Sequence, residues 1–70
     1  MKYLYTFGCT LLMEVGKDKY ITYVVVQEDS DYKFNYRELN LIIDDIKAIA
    51  KTDTTSAISV ALVNYLEVEE

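Results

Sequence analysis

The stretch MKYLYTFGCTLLMEV, residues 1–15, opens the chain and alternates strictly between two kinds of side chain. Its odd-numbered positions include Tyr3, Tyr5, Phe7, Cys9, Leu11, Met13 and Val15. Its even-numbered positions include Lys2, Thr6, Gly8, Thr10 and Glu14. Successive side chains of a β-strand point to opposite faces of the sheet. The pattern therefore predicts a long strand over about residues 2–15 with one fully apolar face.

A second strand is predicted after the turn-forming residues 16–19, Gly-Lys-Asp-Lys. It is rich in β-branched and aromatic residues from Tyr20 to Val26, so the two strands should form a β-hairpin. If Lys17-Asp18 is the two-residue turn, Cys9 lies opposite Val26. The apolar face of strand one then continues onto the even-numbered residues of strand two.

A helix is expected after residues 27–33, which are polar and acidic and predict a solvated connection. Asn35 is a good N-cap residue, and Glu38 stands three positions later, as in a capping box. Apolar residues then recur at steps of three and four from residue 36 to about residue 51. They are Leu39, Ile42, Ile43, Ile46, Ile49 and Ala50. This spacing predicts an amphipathic helix with one apolar stripe.

A third strand is predicted over residues 57–68, where alternation returns after a polar linker at residues 52–56. The residues expected on its helix side are Ile58, Val60, Leu62, Leu66 and Val68. A right-handed crossover through the helix would lay this strand beside strand one and antiparallel to it, giving the sheet order 2-1-3. We therefore expect one α+β domain over residues 1–70, with ββαβ order and a helix on one face of a three-stranded antiparallel sheet.

The opposite face of this sheet is more apolar than a solvated face needs to be. Its expected members are Leu4, Leu12, Ile21, Tyr23, Val25, Ala61, Val63 and Tyr65. A chain of this length buries only roughly 60% of the surface that its unfolded form exposes, and association is a common remedy. We therefore expect a homodimer, whereas the alternative is scattered surface hydrophobics with strong β-propensity. The candidate interface residues are Leu12, Tyr23, Val25, Val63 and Tyr65.

The sequence offers no candidate catalytic, cofactor-binding or metal-binding residues. It contains no histidine, and its one cysteine, Cys9, has the parity of the apolar face, which favours packing over nucleophilic chemistry. Asp44 and Asp45 would point about 100° apart on a helix, with no general base beside them. Residues 28–31, Glu-Asp-Ser-Asp, lack the glycine and the distal glutamate of an EF-hand loop. We expect a protein that is not an enzyme.

Twelve acidic residues against seven basic ones give a net charge of −5. Direct binding to nucleic acid is not expected, because phosphate backbones are bound by clustered Lys and Arg. An acidic surface can instead occupy the basic cleft of a DNA-binding protein. The candidate residues for such a partner are Glu28, Asp29, Asp31, Asp44 and Asp45. A solvated surface that confers solubility is the alternative interpretation of these acids.

The expected location is the cytoplasm. The apolar segment before Cys9 is shorter than the roughly 7–15 residues of a secretory signal. No uncharged run approaches the roughly 18 residues of a membrane span. We therefore expect a soluble protein with a reduced cysteine and no membrane partner.

Two segments of the first hairpin, Cys9-Thr10-Leu11-Leu12-Met13 and Gly16-Lys17-Asp18-Lys19-Tyr20, precede an aromatic second strand. In these residues the chain resembles the small phage-encoded inhibitors of uracil-DNA glycosylase, which imitate DNA. The helix and strand three are longer here, so the resemblance does not carry the target with it. It implies an anti-defence inhibitor from a phage or mobile element that binds a host nucleic-acid-binding or defence protein. The alternative is a self-associating structural or assembly module.

Overall fold

A computed structural model describes residues 2–68. Strand β1 spans Lys2–Val15, strand β2 spans Asp18–Ser30, helix α1 spans Tyr36–Ala50 and strand β3 spans Thr55–Val68. The strands form one antiparallel sheet in the order β2-β1-β3. The predicted α+β class, the ββαβ order and the sheet order are confirmed. We call the side of the sheet that carries α1 the helix face and the other side the open face.

The turn between β1 and β2 lies one residue earlier than predicted. Val15 pairs with Asp18, so the turn residues are Gly16 and Lys17. Gly16 has a φ of 63°, and a type II′ turn requires such a positive φ at its first central residue. Cys9 consequently lies opposite Val24 instead of Val26. Because this shift of the register is even, every β2 side chain stays on its predicted face.

β2 is also longer than predicted. Residues 27–30, expected in the solvated connection, continue the strand because they pair with residues 3–6 of β1. The strand ends where the Ser30 hydroxyl donates to the carbonyl oxygen of Tyr32 at 2.6 Å and accepts from its N–H at 3.2 Å. These hydrogen bonds turn the chain towards α1.

β3 contains two β-bulges that simple alternation does not predict. Thr6 pairs with Asn64 whereas Phe7 pairs with Leu62, so Val63 is an extra residue in β3. Ile58 is a second one, because Thr10 pairs with Ser59 and Leu11 with Ala57. An extra residue inverts the alternation of side chains beyond it.

The predicted faces of three residues near the end of β3 are therefore wrong. Tyr65, expected on the open face, pairs with Tyr5 and lies on the helix face. Leu66, expected on the helix face, pairs with Leu4 and lies on the open face. Val68 likewise moves to the open face, opposite Lys2.

The core lies between α1 and the centre of the helix face. Its buried apolar side chains are Tyr5, Phe7, Cys9, Ile46 and Val60. The capping box that starts α1 is confirmed: the Glu38 N–H donates to Asn35 Oδ1 at 2.8 Å, and the Asn35 N–H donates to Glu38 Oε1 at 3.2 Å. Just before it, the Phe34 N–H donates to the hydroxyl oxygen of Tyr5 at 2.8 Å. That bond ties the start of α1 to the central strand.

Candidate protein-interaction surfaces

The open face carries a group of exposed apolar side chains around its centre. Leu12 lies opposite Ile21, Tyr23 and Val25 follow along β2, and β3 contributes more from the other side. We call this group the open-face patch; it comprises Leu12, Ile21, Tyr23, Val25 and Val63. Leu66 lies further along the same face, opposite Leu4. All but the half-buried Leu12 are exposed. The fold leaves these side chains uncovered, because the only helix of the described residues lies on the other face.

Gly8 explains how Tyr23 is placed at the centre of the patch. A Cβ atom added to Gly8 would overlap the Tyr23 phenol, at 2.8 Å from its Cζ, and would lie 3.0 Å from Val63 Cγ1. The missing side chain thus makes room for Tyr23 to lie across the central strand, next to Val63. Tyr23 is 58% exposed.

A second apolar surface lies on the helix face, beside β2. Helix α1 packs towards β3, which leaves the β2 side of the face partly uncovered. The result is a groove of about 180 Å³. Its lining residues, which define the helix-face groove, are Cys9, Leu11, Val24, Val26, Glu28, Ile46, Ile49 and Ala50. Ile49, at the rim, is 81% exposed.

The five acidic candidate residues do not gather into one surface. Asp29 pairs with Leu4 and lies on the open face, whereas Glu28 pairs with Tyr5 and borders the helix-face groove. Asp45 precedes Ile49 by one helical turn, so it lies on the flank of α1 that borders the same groove.

The other two acidic candidates lie apart from these. Asp44 is exposed, about 100° further round the helix than Asp45, and Asp31 is exposed in the connection after β2. Within residues 2–68, no three acidic or cysteine side chains lie close enough together to hold a metal ion.

Cys9 lies at the floor of the helix-face groove and is 1% exposed. Burial raises the pKa of its thiol, so the reactive thiolate is disfavoured. Its side chain packs with the core cluster, as its position in the alternating pattern predicts.

Tyr65, a candidate interface residue, belongs to a tyrosine cluster on the helix face. Its ring stacks on Tyr3, with centroids 6.1 Å apart, and lies 5.2 Å from the ring of Tyr5. The Lys33 ammonium is 5.6 Å from the ring centroid, and the hydroxyl donates to Glu67 at 2.8 Å. Desolvation and the Glu67 bond raise the pKa of Tyr65 to about 12. Tyr65 is therefore separated from the open-face patch by the sheet itself.

Four of the five candidate interface residues, Leu12, Tyr23, Val25 and Val63, lie on the open face. Leu66 was missed because the bulge at Val63 brings it there. The free edge of β2 was also missed, although its uncharged run over residues 20–27 is visible in the sequence.

Comparison of the chain with models of protein families, with curated proteins and with solved structures finds no significant match. The resemblance of the first hairpin to the glycosylase inhibitors therefore stays a prediction. Within residues 2–68, no helix combines the length and the apolar character needed to cross a membrane.

Proposed function

We propose that this protein binds another protein through its open-face patch and does not act as an enzyme. The observation that carries the proposal is the exposed apolar surface around Tyr23, a residue that is more than half exposed. Contiguous apolar patches are uncommon on monomeric proteins and mark interaction sites. Tyrosine at the centre of a patch is also typical of the residues that dominate binding energy.

The net charge of −5 favours a partner with a basic surface. In its sharpest form, the proposal is a cytoplasmic inhibitor from a phage or mobile element that occupies the nucleic-acid cleft of a host protein. Asp29 supplies negative charge on the open face, and Glu28 and Asp45 border the helix-face groove. Because these acids are exposed, they act mainly by steering association, which makes binding sensitive to salt.

Affinity capture from host lysate tests this proposal, with the immobilised chain at low and moderate salt and with duplex DNA as competitor. Val63→Asp places a charge in the open-face patch, on β3 and away from the β2 edge. Val15→Asp is the matched control, because Val15 is 60% exposed, like the 55% exposed Val63, but lies outside the patch.

We expect a captured protein that salt and DNA displace, that Val63→Asp fails to capture, and that Val15→Asp retains. Capture that is indifferent to salt, to DNA and to Val63→Asp would overturn the proposal. Capture of nothing beyond the chain itself would also overturn it, in favour of the self-associating module.

A further inference from the structure

β2 is an edge strand whose outer side lacks the usual protection against pairing. Sheet edges are normally blunted by charges, prolines or bulges. The central run of β2, YITYVVVQ at residues 20–27, has neither charge nor proline. Its pairing with β1 runs without a register shift over the whole strand. β3, the other edge, differs because bulges at Ile58 and Val63 interrupt its ladder. The β2 edge is therefore the one suited to pair with another strand.

The hairpin turn determines which backbone groups face this edge. In a type II′ turn, Val15 and Asp18 form a hydrogen-bonded pair, and such pairs alternate with non-hydrogen-bonded ones along the ladder. Glu14 and Lys19 then form the next, non-hydrogen-bonded pair. The Glu14 N–H indeed points away from β2, donating to the Thr54 carbonyl at 2.7 Å. By the same alternation, the outward-facing backbone groups of β2 belong to Lys19, Ile21, Tyr23, Val25, Gln27 and Asp29.

We propose that β2 pairs antiparallel with β2 of a second copy of this chain, about a two-fold axis at Val24. The two sheets then join into one sheet of six strands, three from each copy. The partner strand is β2 of a second copy, because a two-fold axis places the same edge of both copies against each other in antiparallel orientation. This pairing also gives hydrogen-bond partners to the outward-facing backbone groups of both β2 edges at once.

Charge favours the register about Val24 over those about Tyr23 and Val25. In this register Lys19 lies opposite Asp29 of the second copy on the open face, and the symmetry forms that pair twice. Tyr20 lies opposite Glu28, and Tyr23 opposite Val25, an aromatic and β-branched pair of the kind that stabilises sheets. An axis at Tyr23 would instead place Asp18 opposite Glu28, which are like charges. An axis at Val25 would place Ile21 opposite Asp29.

The helix-face groove lies beside the edge that pairs. Val24 of one copy lies opposite Val24 of the other, and Val26 lies opposite Thr22 of the other, so the two grooves meet across the new ladder. The open-face patch stays uncovered and is doubled. The pairing therefore does not rest on the partner proposed above, and either one can fail without the other.

Cysteine cross-linking tests the pairing and its register, in a Cys9→Ala background. Val24 would form a non-hydrogen-bonded pair with itself, with Cα atoms about 4.5 Å apart, which suits a disulfide. Val24→Cys should therefore form a disulfide dimer at least about tenfold faster than Val15→Cys, an exposed thiol outside the pairing. Thr22→Cys and Val26→Cys should each cross-link slowly alone and quickly when mixed.

Two outcomes of this experiment would overturn the proposal. In the first, Val24→Cys cross-links no faster than Val15→Cys. In the second, Thr22→Cys and Val26→Cys each cross-link alone as fast as Val24→Cys, which would exclude this register.

A charge exchange keeps the proposal testable if a cysteine variant folds poorly. Asp29→Lys should weaken association at least about tenfold, because it places like charges opposite one another across the pairing. Lys19→Glu should do the same, and it also breaks the 3.8 Å ion pair between Lys19 and Glu14 of its own chain. The double variant should restore association to within about threefold of wild type. Single variants that associate as wild type does, or a double variant that stays as weak as the singles, would overturn the pairing about Val24.

Discussion

Tyr5→Phe removes one oxygen atom from the contact that fixes the start of α1. Tyr5 is 2% exposed, and its hydroxyl oxygen accepts the Phe34 N–H at 2.8 Å. Its ring lies 4.7 Å from that of Phe34, a contact that phenylalanine keeps. The substitution therefore leaves a partly buried backbone donor without its acceptor, and the packing changes little. Such a loss costs about 1–3 kcal/mol of unfolding free energy.

Urea denaturation at fixed protein concentration measures this cost. At a slope of about 1 kcal/mol per molar urea, the midpoint should fall by about 1–3 M with an unchanged slope. Tyr3→Phe is the matched control, because it deletes the same atom from a neighbouring tyrosine and keeps the ring stacked on Tyr65. A loss for Tyr5→Phe no larger than that for Tyr3→Phe would refute the idea that the Phe34 bond anchors the helix.

Three further predictions follow from particular contacts. Gly8→Ala should destabilise the wild-type fold more than a Tyr23→Ala variant, because the added methyl group overlaps the Tyr23 phenol, although it also lies 3.0 Å from Val63 Cγ1; a double-mutant cycle in urea measures this, and additive effects would contradict it. The pKa of Tyr65 is raised to about 12 in the folded state against 10.0 ordinarily, so its contribution to stability is complete below about pH 10 and is lost as the pH rises towards 12. Tyr65→Phe should flatten that alkaline decline in denaturation measurements, and an unaltered decline would contradict the assignment. Cys9→Ala should cost about 1–2 kcal/mol through a small cavity and leave partner binding intact, whereas loss of binding at unchanged stability would point to a reactive thiol.

Local signals in the sequence predict most of the fold. The parity of residues 2–15 predicts β1, and Asn35 with Glu38 predicts the start of α1, because each depends on neighbouring residues alone. The bulges at Ile58 and Val63 depend on pairing with β1, which is distant in sequence. Simple alternation therefore misplaced Tyr65. The turn was misplaced for a different reason, since Gly16 is the residue that tolerates a positive φ and should have been preferred over Asp18.

The interaction surfaces were less predictable than the fold. Tyr23 and Val25 could be placed on the open face by parity, but the role of Gly8 in accommodating the Tyr23 ring requires coordinates. Parity also cannot show that Glu28 and Asp29 separate to opposite faces unless β2 is known to reach Ser30. The free edge of β2 becomes visible only when the sheet order makes that strand an edge.

Sedimentation equilibrium of the wild-type chain tests self-pairing along β2 directly. The chain mass is 8.1 kDa, and we expect the average mass to rise with concentration towards twice that value. Val24→Lys, which places two like charges opposite each other at the axis, should hold the mass at that of one chain, whereas Val15→Lys should behave as wild type. A wild-type mass of 8.1 kDa at every concentration would contradict self-pairing along β2.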